Sequence, residues 1–391
     1  MRRLPVTERR ARVGARHGLA RKVASVEEAA LSVVALHSSD PATVHLSCRA
    51  RVEGFEPADL DDALYVRKTL VRMLGMRRTL FVVPRDLAPL MHEACTKALI
   101  PRERTRLVRM LEQQGVVTPG GGERWLDRVQ TKTLAALERL GEAAARELTA
   151  EVPELANKLV LGAGSSWEAS VGVSTRVLFM LATEGRIVRT RPLGAWTSGQ
   201  YRWSPVDRWL GGPLPVVDHD EACAGLLRRW LGRFGPATTT DIRWWAGWTA
   251  KLTASTLSAI GAVEVRLGDT QGWVLPDDVE PVPPERWVAF LPGLDPTVMG
   301  WKERAWYLGR HERDLFDTNG NAGPTVWADG RVVGAWGQTD AGNIRVRMHA
   351  RVDARTRSSI EAERERLRAW FGDVRIRTRF GTALERSLAG R

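Results

Sequence analysis

A polar cluster interrupts an apolar run near the start of the chain and holds the first candidate chemical groups. It consists of His37, Ser38, Ser39 and Asp40, and it ends at Pro41. An imidazole with its ordinary pKa of about 6.5 can hold or deprotonate a water molecule, and the Ser39 hydroxyl can donate or accept a hydrogen bond. His37 could also end a helix by bonding a backbone carbonyl, and paired serines are common at helix junctions. The cluster therefore predicts either a water-positioning site with His37 and Ser39 as catalytic residues, or a helix junction.

A second candidate group lies in the stretch 76–81, where Arg77 and Arg78 precede Thr79, Leu80 and Phe81. The pattern predicts a short strand with a basic start. Guanidinium groups there can contact DNA phosphates or enter the minor groove, so both arginines are candidate DNA-binding residues. The alternative is an ion pair with Asp61, Asp62 or Glu93.

Three further arginines, Arg189, Arg191 and Arg202, lie in segments that we expect to form a β-hairpin. The segments are residues 187–191 and 200–203, and the turn between them contains Pro and two Gly. Hairpins of this kind often lie along the DNA backbone. The three arginines are therefore the preferred candidates for DNA contact.

The overall charge favours a polyanionic partner. The chain of 391 residues has a net charge of +12, and 51 of its 58 cationic side chains are arginine. Each phosphate that such a surface contacts releases counterions, which drives binding to double-stranded DNA. A GC-rich genome would also enrich arginine, so the bias alone leaves both explanations open.

Cysteine usage and hydropathy indicate the cellular compartment in which the protein is expected. Cys48, Cys95 and Cys223 are far apart and odd in number, so neither a structural metal site nor a disulfide framework is predicted. The basic N-terminal residues are not followed by an apolar run, and no apolar stretch is long enough to span a membrane. We therefore expect a cytoplasmic, nucleoid-associated protein without a membrane partner. A monomer is a further expectation, which these patterns do not decide.

Helical periodicity surrounds the polar cluster. Residues 27–37 predict a helix that ends at His37, and Asp40 and Pro41 predict the N-cap and first residue of the next helix. The spacing of apolar residues from Leu60 to Met73 predicts further helix. The strand at 79–83 follows, and Pro84 begins another helical segment. Helices followed by a strand are typical of a helix-turn-helix with an attached hairpin.

The same order of elements recurs twice further along the chain. A glycine-rich break at 117–123 precedes helices predicted at 125–140, 143–149 and 174–183 and the hairpin described above. Helices at 222–234, 242–247 and 252–260 then precede a hairpin of 263–267 and 272–275. We interpret these segments as structural repeats. Most tryptophans, including Trp244 and Trp245, are predicted to serve the core.

The last third of the chain has a different pattern. Short strands at 288–291, 325–327, 332–336 and 344–348 and a charged helix at 358–371 predict an α+β cap. Asp295 and Arg304 are expected to form an ion pair within it. The predicted organisation is four regions, with boundaries at 1–116, 124–212, 213–280 and 287–391.

Several segments together resemble one family of bacterial DNA glycosylases that act on bulky alkylpurines and crosslinks and have tandem winged helices. The resemblance covers nearly the whole chain and rests on four stretches: the cluster before Asp40 and Pro41, the strand from Arg78, the segment from Phe234 to Gly247, and the segment from Leu291 to Arg304.

That resemblance implies an α+β fold of three winged helices that form a C-shaped basic channel for DNA, with a C-terminal α+β cap. It implies hydrolysis of the N-glycosidic bond of N7- or N3-alkylated purines, including crosslinks, without a metal or organic cofactor. The product would be an abasic site, and the protein could confer self-resistance to a genotoxin.

One departure from the family pattern affects the expected site. The family has Gln, an aliphatic residue and Gln where this chain has His37, Ser38 and Ser39, and serine reaches less far than glutamine. An alkylated purine carries a positive charge, so a site needs only to position water and stabilise the sugar cation. The leading hypothesis is a glycosylase; the alternative is a non-catalytic winged-helix protein that recognises damaged DNA or regulates transcription.

Overall fold

The first third of the chain forms a helical unit that ends in a β-hairpin. The computed structural model describes residues 2–162, 164, 165 and 168–391. Asp40 caps the helix that begins at Pro41 by accepting a hydrogen bond from Ala42 N, and Pro41 occupies the first turn of this helix, as predicted. The elements in chain order are β1 (Arg2–Arg3), α1 (Val6–Arg16), α2 (Val26–Ser32), β2 (Leu36–His37), α3 (Pro41–Arg51), α4 (Pro57–Tyr65), β3 (Leu70–Leu74), and β4 (Leu80–Pro84) after a tight turn at Met76–Arg78.

A helical connection leads to a second unit of the same kind. The polypeptide runs through an irregular helical segment into a long, exposed helix, then turns at a glycine-rich loop into a second long helix. The elements are α5 (Ala88–Met91), α6 (Ile100–Gln113), α7 (Gly122–Leu140), β5 (Ala143–Ala144), α8 (Ala145–Glu151), β6 (Lys158–Leu161), β7 (Ala169–Gly172), α9 (Val173–Thr183), β8 (Ile187–Pro192), β9 (Tyr201–Pro205) and α10 (Val206–Leu210).

A third unit follows, with well-capped helices. Asp218, Thr238 and Thr249 each accept backbone hydrogen bonds at a helix start. Gly247 ends the middle helix in the left-handed conformation, with φ of +76°. The elements are α11 (His219–Phe234), α12 (Thr239–Ala246), α13 (Ala250–Ala259), β10 (Val263–Leu267) and β11 (Thr270–Val274).

The three units share one sheet topology. In the first, the strand order is β2-β4-β3, and in the second it is β5-β9-β8, so the short early strand pairs with the later hairpin strand. In the third unit Ala237 takes the place of the early strand by bridging to Trp273 on β11, and β1 adds to the other edge beside β10. The repeat inferred from element order is therefore also a repeat of strand pairing.

The C-terminal region is a four-stranded antiparallel sheet with helices packed against it. Its core includes Ala42 and Leu46 of α3, so this region packs directly on the first unit. The elements are β12 (Val288–Leu291), α14 (Ala305–Leu308), α15 (Glu312–Leu315), β13 (Thr325–Ala328), β14 (Arg331–Gln338), β15 (Ile344–Met348), α16 (Ala354–Phe371) and α17 (Ala383–Ala389). No helix among the described residues is long and apolar enough to cross a membrane.

A buried ion pair joins α3 to the C-terminal region. Arg51 and Asp295, both with side chains 0% exposed, form two hydrogen bonds of 2.8 and 2.7 Å. Ser47 also donates to Asp295, and Thr297 accepts from Arg51. The predicted pair of Asp295 with Arg304 is wrong: Arg304 lies 3.9 Å from Glu312 instead.

Two predictions around the polar cluster are also wrong. His37 does not end a helix, because α2 stops at Ser32 and His37 belongs to β2, where it pairs with Phe81. The segment from Leu70 to Met73 is not helical but forms β3. In both places, pairing with β4 determines the backbone conformation, and helical spacing of apolar residues was misleading.

Candidate functional site

His37 lies at the edge of the first sheet, with its ring packed against Phe81. The ring centroids are 5.3 Å apart, and the residue is 8% exposed. Nδ1 accepts a long hydrogen bond, 3.4 Å, from the Ser39 backbone N–H. That bond favours the tautomer with the proton on Nε2. Nε2 has no partner among the described residues and is not fully buried, so its N–H is available as a donor to a water or a ligand.

The environment keeps the His37 imidazole neutral. Burial lowers its pKa to about 3, and the nearby positive charge of Arg77 contributes in the same direction, while Asp295 opposes the shift. An imidazole with this pKa is a weak base near neutral pH. Of the two roles suggested by the sequence, holding water therefore fits the geometry better than deprotonating it.

The serines of the cluster bond to the strands behind them. Ser39 Oγ accepts a hydrogen bond of 3.4 Å from Leu80 N, and the residue is half-buried. Ser38 Oγ accepts a hydrogen bond of 3.0 Å from Arg72 Nε. Ser38 is 1% exposed, so it can only position its neighbours through its bond to Arg72, whereas Ser39 remains accessible to solvent.

Arg72 is a central residue that sequence reasoning missed. It is 3% exposed, donates to Tyr65 Oη at 2.7 Å, and lies 4.6 Å from the centre of the Tyr201 ring. It thereby links the first sheet to the second hairpin. The available signal was an arginine in the middle of the apolar stretch Leu70–Leu74, since a buried charge requires dedicated partners.

Asp40 has a structural role, because both of its carboxylate oxygens accept backbone hydrogen bonds. Its Oδ1 accepts from Ala42 N at 3.1 Å and its Oδ2 from Arg379 N at 2.8 Å. Burial raises the pKa of this carboxyl, and the two backbone donors oppose the shift. With both oxygens engaged, the carboxylate fixes the start of α3 and the path of the C-terminal segment beside the cluster.

Arg77 and Arg78 occupy the tip of the first hairpin in a strained turn. Their φ values are +53° and +65°, and Thr79 N bonds Met76 O across them, as in a type I′ turn. Neither arginine has the acidic partner suggested from sequence. Arg78 pairs with Glu103 at 3.0 Å, so the alternative of pairing with Asp61, Asp62 or Glu93 is wrong.

The Arg77 guanidinium lies 3.9 Å from the centre of the Trp244 ring, and Arg304 lies 4.9 Å from the same ring. Burial and the repulsion of Arg304 lower the pKa of Arg77 to about 10, so it stays protonated. Trp245 is buried in the core as predicted, but Trp244 is only half-buried and connects the hairpin tip to the third unit.

The arginines of the second hairpin differ in their availability. Arg202 bonds Glu142 O at 2.8 Å and pairs with Glu147 at 3.2 Å. Arg189 lies 5.0 Å from the centre of the Trp203 ring, and burial lowers its pKa to about 10. Arg191 is exposed and lies over Tyr65, 5.0 Å from the ring centre.

The loop of this hairpin reaches across to α3. The Trp196 ring packs against His45 in a tilted arrangement with ring centroids 4.6 Å apart, and the Gly199 backbone approaches Pro41. His37, Ser39, Arg77 and the second hairpin are thus parts of one region, whereas Arg78 turns toward α6.

A separate group could hold a metal ion. The potential ligand atoms of His311, Asp314 and His349 lie within 4.8 Å of one another. The two imidazole rings are stacked, 4.9 Å apart. The group belongs to the C-terminal region and includes neither His37 nor Ser39, so it has no part in the cluster described above.

Three helical units with matching hairpins and an antiparallel C-terminal sheet define a mixed α+β fold. The structure is similar to that of Streptomyces sahachiroi DNA glycosylase AlkZ, with a TM-score of 0.73, 19% identity, and coverage of 96% of this chain and 99% of that chain. The family model "DNA glycosylase AlkZ-like" matches residues 30–370, and the chain therefore belongs to this DNA glycosylase family. Among curated proteins, none matches the sequence.

Proposed function

We propose that this protein is a DNA-repair glycosylase that hydrolyses the N-glycosidic bond of purines alkylated at N7 or N3, including bulky adducts and crosslinks, and leaves an abasic site. The observation that carries the proposal is the neutral His37 imidazole, whose Nε2–H is free beside the accessible Ser39. This pair lies in a chain of the AlkZ-like family. The proposed reaction needs no metal or organic cofactor.

The substrate supplies most of the driving force in this reaction. Alkylation leaves a positive charge on the purine ring, so cleavage of the bond between C1′ and N9 returns an electron pair to the ring and neutralises it. The sugar is left as an oxocarbenium ion. A water oxygen adds to C1′ and then loses a proton to solvent, so no strong base is required.

In this scheme His37 and Ser39 are the catalytic residues. His37 Nε2–H donates to the attacking water and orients one of its lone pairs toward C1′. The Ser39 hydroxyl, half-buried at the end of β2, provides a second hydrogen bond. Fixed neutral dipoles of this kind lower the barrier without an ionised catalytic group.

For DNA binding we propose that the three units act as winged helices and form a C-shaped basic channel. Arg77, at the first hairpin tip, and Arg191, exposed on the second hairpin, are the strongest candidates for phosphate contact. Both of these lie over aromatic rings but are exposed. Arg78, Arg189 and Arg202 belong to the same proposed interface, but Arg78 and Arg202 form ion pairs, and Arg189 is half-buried against Trp203. On DNA they would have to exchange those contacts for phosphates.

The predicted boundaries at 1–116, 124–212, 213–280 and 287–391 remain part of this proposal, as does action by a monomer at the nucleoid. The second unit has a core of its own, and this core includes Leu107 and Leu111 of α6, which lie inside the predicted region 1–116. Self-resistance to a DNA-alkylating natural product is the proposed biological role.

A base-release assay tests the function directly. Duplex DNA that contains 7-methylguanine or a bulky N7 adduct is incubated with the protein, and abasic sites are detected as strand breaks after alkali. The wild type should release the adducted base. His37→Ala should lose release while binding the same DNA, and His37→Gln, which restores the family's first residue, should retain part of it. His349→Ala is the matched control because it removes an imidazole outside the site.

Equal turnover by His37→Ala and the wild type would remove His37 from the mechanism. The alternative function, DNA recognition without catalysis, predicts a different result: no release from any adduct tested, together with salt-sensitive DNA binding. The engagement of Ser39 Oγ by Leu80 N favours this alternative, because a hydroxyl held by the backbone is less free to bind water.

A further inference from the structure

A group of arginines surrounds the junction between the first hairpin and the second unit. Arg78 comes from the hairpin tip, Arg106 from α6, and Arg176 from the first half of α9. They line a crevice of about 20 Å³ together with Glu103. Arg102 lies one turn before Arg106 on α6 and is also exposed. Three separate segments of the chain thus bring cationic side chains to one place.

The positive charge of this group is not compensated. Four guanidinium groups face a single carboxylate, and Glu103 already pairs with Arg78 at 3.0 Å. Among the described residues, no acidic side chain forms a salt bridge with Arg102, Arg106 or Arg176, and Arg176 Nε is buried without a hydrogen-bond partner. Burial lowers the pKa of Arg176, and repulsion from Arg78 and Arg106 adds to this. Like charges gathered in this way cost free energy unless an anion joins them.

The packing of the group is specific enough to form a binding site. Arg78 lies over the Phe179 ring, 5.1 Å from its centre. Glu103, which is only 5% exposed, holds a fixed position among the arginines. Leu107 and Met180 close the bottom of the crevice. The volume holds about one water molecule, so a phosphate group would sit at the mouth, where planar guanidinium groups can each donate two hydrogen bonds.

We propose that Arg78, Arg106 and Arg176 form a phosphate-binding site for the DNA backbone, at the junction of the first hairpin with α6 and α9. The proposal rests on the proposed function in that it takes DNA as the partner, and it adds Arg106 and Arg176 to the interface. Glu103 orients Arg78, and because it is a single carboxylate beside three cations, the group keeps a net positive charge. Arg102 extends the site along α6 toward a neighbouring phosphate.

The salt dependence of DNA binding tests this site. Fluorescence anisotropy with an undamaged duplex, over a series of KCl concentrations, gives the slope of log K against log salt. Arg106→Gln with Arg176→Gln should weaken binding and reduce the slope by about 1.8, since each phosphate contact contributes about 0.9. Arg124→Gln with Arg128→Gln on α7 is the control, because both residues are exposed on the same unit and the charge change is equal. Arg106→Lys with Arg176→Lys should retain most of the slope.

The outcomes separate this site from the catalytic proposal. A slope unchanged in the double glutamine variant, or reduced equally in the control, would overturn the site, because the effect would then be absent or a matter of net charge. Thermal melting of each variant shows whether a loss of binding reflects unfolding. If the glutamine pair is unstable, Arg106→Gln alone decides the case, because Arg106 is exposed and its loss should reduce the slope by about 0.9. Because undamaged DNA is used, the result holds whether or not the wild type releases bases.

Discussion

Arg77→Asn separates a role in DNA binding from a role in folding. Arg77 has φ of +53° and ψ of 36°, a left-handed conformation that costs a residue other than glycine roughly 1–2 kcal/mol and that asparagine adopts more readily. The substitution removes the contact with Trp244. Although packing on this ring partly desolvates the guanidinium, Arg77 as a residue is exposed, and a cation–π interaction at an exposed site is worth about 0.5–1 kcal/mol. Among the described residues Arg77 forms no salt bridge. The two effects oppose each other, so the free energy of unfolding should change by less than about 1 kcal/mol.

DNA binding should respond differently. Loss of one phosphate contact should reduce the slope of log K against log salt by about 0.9. Arg351→Asn is the control, because it removes an exposed arginine from a loop in the C-terminal region. The pKa of His37 should rise, because a nearby positive charge is removed, but it should stay below its usual range because burial is the larger cause.

The two measurements are denaturant unfolding and fluorescence anisotropy on an undamaged duplex. A fall of several kcal/mol in the free energy of unfolding would mean that the Trp244 contact is structural, and the strain argument would be refuted. A salt slope equal to that of the wild type would exclude Arg77 from the DNA interface. Base release by the variant can be measured separately on alkylated DNA at saturating protein, where weaker binding no longer limits the reaction.

Two further predictions concern stability. Asp295→Asn leaves the buried Arg51 without a counter-charge and should reduce the free energy of unfolding by about 3–5 kcal/mol. Burial alone would raise the pKa of Asp295, but Arg51 holds it below the ordinary value, so this contribution is present at neutral pH and is lost as pH falls through the folded-state pKa. Burial lowers the pKa of His17 to about 3, whereas an unfolded imidazole titrates near about 6.5. The contribution of His17 to stability should therefore fall below pH ~6.5, by up to about 1.4 kcal/mol per pH unit, and denaturant midpoints of His17→Gln across pH should show a shallower slope than the wild type. An equally steep slope in that variant would mean that other groups cause the acid sensitivity.

Local patterns in the sequence were sufficient to predict elements that local interactions stabilise. Asp40 and Pro41 mark the start of α3, since the side chain of an N-cap bonds a backbone N–H only two residues away. The hairpin of β10 and β11 was predicted in the same way from its glycine turn. The repeat of units was inferred from such local signals, because each unit contains helices with an apolar face followed by a hairpin.

The parts of the site that depend on distant pairing could not be predicted. β2 has only two residues, and it exists because Leu36 and His37 pair with Val82 and Phe81 more than forty positions later. The spacing of Ala30, Val33 and Val34 suggested a helix through His37, but these residues share a spacing because they all pack into the same core. The partner of Asp295 was missed for a similar reason: Arg51 is 244 positions away, and no local spacing indicates such a pair.

Burial also changes the chemistry that the sequence suggests. An imidazole was expected to titrate near neutrality, but the apolar surroundings of His37 and the charge of Arg77 move its pKa to about 3. Similarly, Arg189 and Arg202 were predicted to contact DNA because they lie on the strands of a hairpin, yet Trp203, Glu142 and Glu147 contact them in the folded protein. Residue type predicts which groups could act, while the environment decides their charge and their freedom.

The neutral His37 should make the proposed reaction selective for purines that already carry a positive charge. Release of an unmodified purine requires protonation of the leaving base, and His37 with a pKa of about 3 holds almost no proton to give at neutral pH. Asp40 could not replace it, because both of its oxygens accept backbone hydrogen bonds. Only a purine that already carries its positive charge can then leave. A site without an acid would thus protect undamaged DNA by its chemistry alone, and wild-type protein should release 7-methylguanine but not guanine from the same duplex.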